Sequence, residues 1–190
     1  LKEAEFFIRK AIEINPKDPI AHSNLGGLLK DDKKLKEAEF FIRKAIEINP
    51  KDYIAHSNLG SVLKDLGMLE EAEKSLLKAI EINPKEFITH SIMGVVLRDL
   101  GKLKEAEKYL LMAIEINPKD YITHSIMGGV LRDLGKLKEA EKYLLMAIEI
   151  NPKDCTAHSM MGGVLRDLGK LEEAKKYLLM AIEINPKNYT

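Results

Sequence analysis

The stretch AIEINPK, residues 11–17, recurs with the same seven letters beginning at Ala45, Ala79, Ala113, Ala147 and Ala181. The interval between successive copies is 34 residues throughout the chain. A fixed period of roughly 20–50 residues is typical of repeat architectures. In every copy the pair Asn-Pro closes an apolar run, and a residue that precedes proline is disfavoured in helical geometry. We therefore predict that AIEINPK is the last turn of a helix followed by its stop signal.

The 34-residue period divides the whole chain. Residues 1–18 form a half repeat with only its second helix, and residues 189–190 begin a further repeat. The five full repeats are residues 19–52, 53–86, 87–120, 121–154 and 155–188. No linker or low-complexity segment interrupts the series. The sequence therefore predicts a single array over residues 1–190, because stacked helix pairs bury faces that one pair alone leaves exposed.

Each repeat predicts two helices, A and B. In the third repeat His90, Met93 and Leu97 recur at helical spacing and form the buried stripe of helix A. Gly101 is the expected left-handed residue after helix A. Helix B follows, with Leu110 on its buried face. The sequence thus predicts eleven helices in all.

Two local signals concern the ends of helix A. Asp18, Asp52, Asp120 and Asp154 precede A helices and are predicted N-caps. The first repeat departs from the others, because Lys33 stands where later repeats have the turn glycine. We expect Lys33 in a left-handed conformation, at a cost on the order of 1 kcal/mol relative to glycine.

The spacing of these residues resembles that of the tetratricopeptide repeat family, whose 34-residue unit follows the pattern W-x2-L-G-x2-Y, A-x3-F, P. The first full repeat presents the matching positions as His22, Leu25, Gly26, Leu29, Ala38, Ile42 and Pro50. Histidine replaces the family's aromatic residue in every repeat. The resemblance covers the whole chain. It implies an all-α, right-handed superhelical solenoid with A helices lining a concave groove, and a binding scaffold without catalytic activity or cofactor.

Composition narrows the classes of partner. Lys plus Arg total 30 and Asp plus Glu total 30, so the chain lacks the basic excess that nucleic-acid binding requires. The apolar runs are too short to cross a membrane. Cys155 is the only cysteine, which excludes an intrachain disulfide and fits a reducing compartment. We expect a cytoplasmic protein that binds neither nucleic acid nor membrane.

The five histidines invite a metal or catalytic interpretation, since they also lie 34 residues apart. Zinc needs ligand atoms at about 2.1 Å, whereas packed helices are roughly 8–10 Å apart. Histidines on successive A helices therefore cannot converge on one ion. We interpret them as one packing position copied five times, and expect no metal site and no enzyme.

The face of helix A opposite its core is the candidate partner site. Sites two, six, nine and thirteen of each repeat share one stripe, which in the family lines the groove. The first two repeats hold Asn24 and Asn58 at the sixth site, where later repeats are apolar. The apolar candidates in the later repeats are Ile88, Ile92, Val95, Ile122, Ile126 and Met160. We predict that a peptide or protein binds mainly along the third and fourth repeats.

Charged pairs end the same stripe. The candidate pairs are Arg98 with Asp99, Arg132 with Asp133, and Arg166 with Asp167. An acid near a helix C-terminus opposes the helix dipole, so a compensating partner is expected. One interpretation is a salt bridge to the base of an adjacent repeat. The other is that these rows contact charged or polar groups of a ligand.

Three alternatives remain for the role of the array. It could be the recognition arm of a larger enzyme, because similar arrays precede glycosyltransferase domains and carry asparagine rows like Asn24 and Asn58. It could be an engineered or recently duplicated array. It could also self-associate, either through an uncovered last helix around Tyr177, Leu178 and Ile182 or through an outer apolar stripe. That stripe comprises Phe6, Phe40, Met112, Met146 and Met180.

Overall fold

The computed structural model describes residues 2–186 of the chain. Within that range the fold is all-α, as predicted, with eleven helices and no strand. Their bounds are α1 Lys2–Ile14, α2 Pro19–Asp31, α3 Leu35–Ile48, α4 Tyr53–Asp65, α5 Leu69–Ile82, α6 Phe87–Asp99, α7 Leu103–Ile116, α8 Tyr121–Asp133, α9 Leu137–Ile150, α10 Cys155–Asp167 and α11 Leu171–Ile184. The even-numbered helices are the predicted A helices. The predicted beginning of a further repeat at residues 189–190 lies outside the described residues.

The A helices begin at the predicted caps. The Asp18 carboxylate accepts hydrogen bonds from the backbone N–H groups of Ile20 at 2.9 Å and Ala21 at 3.3 Å. Asp52 and Asp154 cap their helices in the same way, and Asp120 accepts from the Thr123 N–H. These bonds satisfy backbone donors that the first helical turn leaves without a partner.

The turns between helices A and B have the predicted left-handed residue. The glycines of the later repeats have φ between 75° and 78°, and Lys33 adopts φ 61° in the first repeat. The prediction for Lys33 is confirmed. Its backbone N–H donates to the Lys30 carbonyl at 3.0 Å, and the N–H of Gly67 donates to the Lys64 carbonyl at 2.9 Å. The turns at Lys33 and Gly67 therefore have the same geometry. Lysine adopts it at a steric cost that glycine avoids.

The chain forms two compact units, Leu1–Leu100 and Gly101–Thr190. Unit 1 contains α1 to α6, and unit 2 contains α7 to α11. The largest fully buried side chains of unit 1 are Leu25, Leu29, Ile42, Leu63, Leu76, Met93 and Leu97. Those of unit 2 are Leu110, Met127, Leu131, Leu144 and Met161. Each core thus consists of the apolar stripes that face one another within the helix pairs.

A close approach of helices A and B depends on glycine at the eighth site of the repeat. A Cβ added at Gly60 would lie 2.5 Å from the Leu76 Cγ, and one added at Gly128 would lie 2.5 Å from the Leu144 Cγ. Real Cβ atoms essentially never come that close. Gly60 and Gly128 therefore let a leucine of helix B lie directly against the backbone of helix A.

Some large apolar side chains are exposed on B helices. Phe6 and Phe40 are each 56% exposed, whereas Met112, Met146 and Met180 are half-buried. Leu178 on α11 is 37% exposed, although its equivalent Leu144 is fully buried. The phenylalanines of the predicted outer stripe therefore do point away from the core, and the methionines do so only in part.

Candidate functional site

The A-helix face of unit 1 presents isoleucines next to a cleft. Ile54 on α4 and Ile88 on α6 are each 51% exposed, far more than core residues. A cleft of about 240 Å³ lies between the N-terminal halves of these two helices. Its lining residues are Tyr53, Ile54, Ser57, Asn58, Glu86, Ile88 and Thr89. The cleft thus combines exposed aliphatic surface with the Asn58 amide.

The remaining predicted residues of unit 1 lie on the same A helices. Asn24 is exposed on α2, and Asn58 is half-buried on α4. Ile92 and Val95 on α6 are half-buried. Arg98 lies in the last turn of α6, and Asp99 ends that helix. In unit 1 the structure places Ile88, rather than Ile92 or Val95, as the most accessible apolar anchor on α6.

The A-helix face of unit 2 has a similar composition. Ile122 on α8 is 51% exposed, and Ile126 is half-buried on the same helix. Met160 on α10 is also half-buried. Arg132 and Asp133 form the last turn of α8. Because α8 packs against α10 within this unit, these apolar side chains share one face.

A charged group bridges successive repeats in unit 2. The Arg132 Nε donates to the Asp167 carboxylate at 2.6 Å, and Arg166 contacts the same carboxylate at 3.1 Å. The hydrogen bond from Arg132 lowers the pKa of Asp167 below its ordinary value, although desolvation opposes the shift. The predicted salt bridge to the base of an adjacent repeat is therefore confirmed at Asp167.

The lysines at the site of Arg132 in the first two repeats have different partners. The Lys30 Nζ donates to the Ser61 hydroxyl of the next repeat at 2.7 Å. The Lys64 Nζ instead pairs with its own neighbour Asp65 at 2.8 Å. Lys64 thus pairs within its own repeat, because the next repeat has Val95 where the second has Ser61 and valine offers no acceptor.

The histidines have one packing role, as predicted. In each repeat the histidine Nε2–H donates to the carbonyl of the proline that ends the preceding helix B, at distances of 2.8–3.0 Å. His22, His90, His124 and His158 are buried, with exposures of 3–6%. The histidine ring therefore connects the start of one repeat to the end of the preceding one by a hydrogen bond.

Sequence reasoning missed a second cleft, at His56. In the first, fourth and fifth repeats the histidine packs against an aromatic ring of helix B, but the second repeat has Ser75 there. A cleft of about 370 Å³ lies at this position. The signal was present in the sequence, because the equivalent sites of the other full repeats all hold an aromatic residue, namely Phe41, Tyr109, Tyr143 and Tyr177.

Among residues 2–186 no group of three or more His, Cys, Asp or Glu side chains could hold a metal ion. None of the helices in the described part of the chain is long and apolar enough to span a bilayer.

Sequence profiles of a known repeat match successive segments of the chain. Two profiles of the tetratricopeptide repeat match the chain, one over residues 53–86 and the other over residues 20–52, 90–120, 124–154 and 156–188. Together these segments cover most of the 190 residues. No curated protein sequence matches the chain at a significant level.

Several solved structures are similar to this chain over most of its length. YrrB, described as a TPR protein with an unusual peptide-binding site, is 30% identical with a TM-score of 0.70, and the match covers 94% of this chain and 92% of YrrB. TTC0263, a thermophilic TPR protein of Thermus thermophilus, is 23% identical with a TM-score of 0.77, covering 90% of this chain and 93% of that one. Pseudomonas aeruginosa pilF is 21% identical with a TM-score of 0.80, covering 88% of this chain and 76% of that one. The last two show the fold alone. The profile matches and the 30% identity with YrrB show that the chain belongs to the tetratricopeptide repeat family.

Proposed function

We propose that the protein is an interaction scaffold whose A-helix faces bind a peptide segment of a partner protein. The observation that carries this proposal is the cleft between α4 and α6, where Ile54 and Ile88 are each half exposed beside the Asn58 amide. Isolated exposed apolar residues are common on protein surfaces. Here they flank a concave site together with polar groups, which is the usual composition of a binding site.

Each group has a distinct part in binding a peptide. Aliphatic side chains of the ligand would pack on Ile54 and Ile88, and burying one such side chain contributes about 1.5–3 kcal/mol. The Asn58 amide has both donors and acceptors and could hydrogen-bond an extended peptide backbone. A few such anchors support micromolar affinity once the cost of ordering the ligand is included.

Unit 2 offers a second surface of the same kind. Ile122 and Ile126 on α8 and Met160 on α10 provide its apolar contacts. The Arg132 and Asp167 side chains already neutralise each other there. We therefore assign recognition in unit 2 to the apolar residues, and assign Arg132 to the connection between repeats. We assign no catalytic step to either surface.

The relative with a peptide-binding site supports this proposal. YrrB is described as having such a site, and the 30% identity extends over nearly all of both chains. The partner of the present chain is a separate question, because the residues on an A-helix face determine which peptide fits.

The test uses peptides selected from a random display library against the full chain. Ile126→Asn introduces the amide that the first two repeats carry at the sixth site, and Ile88→Asn makes the same exchange at the second site. For a ligand anchored by one of these residues, we expect affinity to fall about tenfold or more, since one buried anchor is lost. Isothermal titration calorimetry measures this, with circular dichroism to confirm helix content.

Phe40→Asn is the matched control. Phe40 is 56% exposed on a B helix and takes no part in the proposed surface. If selected peptides bind both isoleucine variants and the control with wild-type affinity, the A-helix faces are not the binding surface.

A further inference from the structure

The cleft at His56 lacks the aromatic ring that covers the equivalent histidine in other repeats. His22 stacks on Phe41 with ring centroids 5.9 Å apart, and His124 stacks on Tyr143 at the same distance. In the second repeat Ser75 occupies the position of that ring. His56 is accordingly half-buried, whereas His22 and His124 are 6% and 4% exposed.

The orientation of the His56 ring is nevertheless the usual one. Its Nε2–H donates to the Pro50 carbonyl at 3.0 Å, as the equivalent histidines do to their prolines. The imidazole therefore keeps the orientation that would stack on an aromatic ring, although the chain supplies none. The orientation of the imidazole is therefore fixed without a ring beside it, and preorganisation of this kind reduces the entropy cost of binding.

The charges around the cleft favour an anionic ligand. The cleft of about 370 Å³ lies between the B helices α3 and α5, with His56 and Leu59 of α4 also in its lining. The other lining residues are Arg43, Ile46, Glu47, Lys74, Ser75 and Lys78. Three permanent cations thus surround it with one carboxylate, and that carboxylate already pairs with Lys44 at 2.7 Å.

The cations differ in their availability. Arg43 contacts Glu39 at 2.9 Å and Glu71 at 3.2 Å, and Lys78 pairs with Glu81 at 2.8 Å. Lys74 is exposed and enters no ion pair within residues 2–186. Lys74 is therefore the group best placed to pair with a carboxylate of an incoming ligand.

We propose that this cleft binds an aromatic side chain of an acidic peptide segment, with the ring stacked on His56 in the place of the missing phenylalanine or tyrosine. The carboxylates beside that aromatic residue pair with Lys74 and, at the rim, with Lys78 and Arg43. Aromatic stacking and cation–π contacts act together with ion pairing at such a site. The site is formed mainly by B helices, so it is separate from the A-helix faces proposed above to bind peptides.

Unit 2 provides a natural comparison. The cleft beside His124 is lined by Ile114, Pro118, His124, Tyr143, Met146, Glu149 and Ile150. Tyr143 already covers the histidine there, and Glu149 is the only permanently charged residue in that lining. This cleft measures about 390 Å³ with the ring in place, so removing the Tyr143 ring would uncover His124 without supplying the cations.

The experiment compares the acetylated, amidated peptides Asp-Glu-Phe-Asp-Glu and Asp-Glu-Ala-Asp-Glu on the full chain at low salt. We expect the phenylalanine peptide to bind at least about tenfold more tightly, the effect of burying one aromatic side chain. The His56 ring protons should shift in NMR spectra only with the phenylalanine peptide. Binding should weaken as salt is raised, because the ion pairs are exposed.

Ser75→Tyr supplies the missing ring from the chain itself and should remove the preference for phenylalanine. Lys74→Glu should weaken binding of the same peptide by a few fold while leaving the fold intact, and thermal unfolding checks this for both variants. Tyr143→Ser is the matched control and should create no second site for the acidic peptide. Ile88→Asn, on the A-helix face, should leave binding of this peptide unchanged.

Three outcomes would overturn the proposal: equal affinity for the two peptides, undiminished binding by Ser75→Tyr, or undiminished binding by Lys74→Glu. Phenylacetate is included to separate the two sources of the ring. If phenylacetate binds as tightly as the phenylalanine peptide, the site is for a small aromatic acid and the peptide assignment is wrong.

Discussion

The second and fourth repeats share 24 of their 34 residues, and one of the ten differences is the aromatic ring beside the histidine. In α4 and α5 the ring of His56 faces Ser75, and in α8 and α9 the ring of His124 is stacked on Tyr143. The bond from histidine Nε2 to the proline carbonyl is 3.0 Å in the second repeat and 2.9 Å in the fourth. The carbonyl therefore orients the histidine, and the aromatic ring only covers it. Losing the ring leaves the histidine more exposed and keeps its bond to the proline carbonyl.

The largest expected effect tests what the two repeats share. Leu76 and Leu144 are fully buried against Gly60 and Gly128. Leu76→Ala and Leu144→Ala should each lower the free energy of unfolding by about 2–5 kcal/mol, because each deletion leaves a cavity. Hydrogen exchange of the affected helix pair measures the loss locally, which matters in repeat arrays whose units can open separately. A loss confined to one of the two variants would show that the repeats are not equivalent.

An effect of intermediate size tests the position beside the histidine, where the second repeat has Ser75 and the fourth has Tyr143. Tyr143→Ser should destabilise α8 and α9 by about 1–3 kcal/mol, since apolar contact with His124 is lost. The reverse exchange, Ser75→Tyr, should stabilise α4 and α5 by about 0.5–1.5 kcal/mol. Denaturant unfolding of both variants against the wild type measures the two changes. If both variants shift stability in the same direction, the covering role of the ring is contradicted.

The smallest effect concerns Asp167, whose pKa is lowered mainly by the hydrogen bond from Arg132. A lowered folded-state pKa means that the ionised carboxylate stabilises the fold above its ordinary pKa. That contribution is lost as pH falls through the lowered value. Arg132→Gln should raise the pKa of Asp167 towards the ordinary value, as followed by the carboxyl carbon shift in an NMR titration. Arg166→Gln is the control and should raise it less, because Arg166 is the weaker cause.

Most of the fold could be predicted because its signals are local. A proline after asparagine ends each complete helix B, an acid before helix A caps it, and the turn residue must be left-handed. Even the departure at Lys33 was predictable, since the register of the repeat determines the backbone conformation there. The A-helix stripe followed from helical periodicity in the same way.

The finer features of the sites depend on contacts that periodicity does not determine. Arg132 reaches Asp167 by passing over Gly163, where an added Cβ would lie 2.8 Å from its Nη1 atom. At the equivalent place Lys30 bonds Ser61, and Lys64, followed by Val95 in the next repeat, turns to Asp65. The size of the His56 cleft likewise depends on Arg43 and Ile46 from the preceding repeat. Predicting such contacts requires knowing where the side chains of two neighbouring repeats lie relative to each other.

Helices α7 and α9 have the same fourteen-residue sequence, LKEAEKYLLMAIEI. During folding, α8 can therefore pack against two helices of identical sequence. Side-chain complementarity does not distinguish α9, its partner in the hairpin, from α7. Chain connectivity makes that choice. Only residues 134–136 separate α8 from α9, and residues 117–120 separate it from α7. Because closing a shorter loop costs less entropy, the intrarepeat hairpin should form first. In chains so nearly repetitive, intermolecular exchange of identical helices at high concentration is the characteristic folding error.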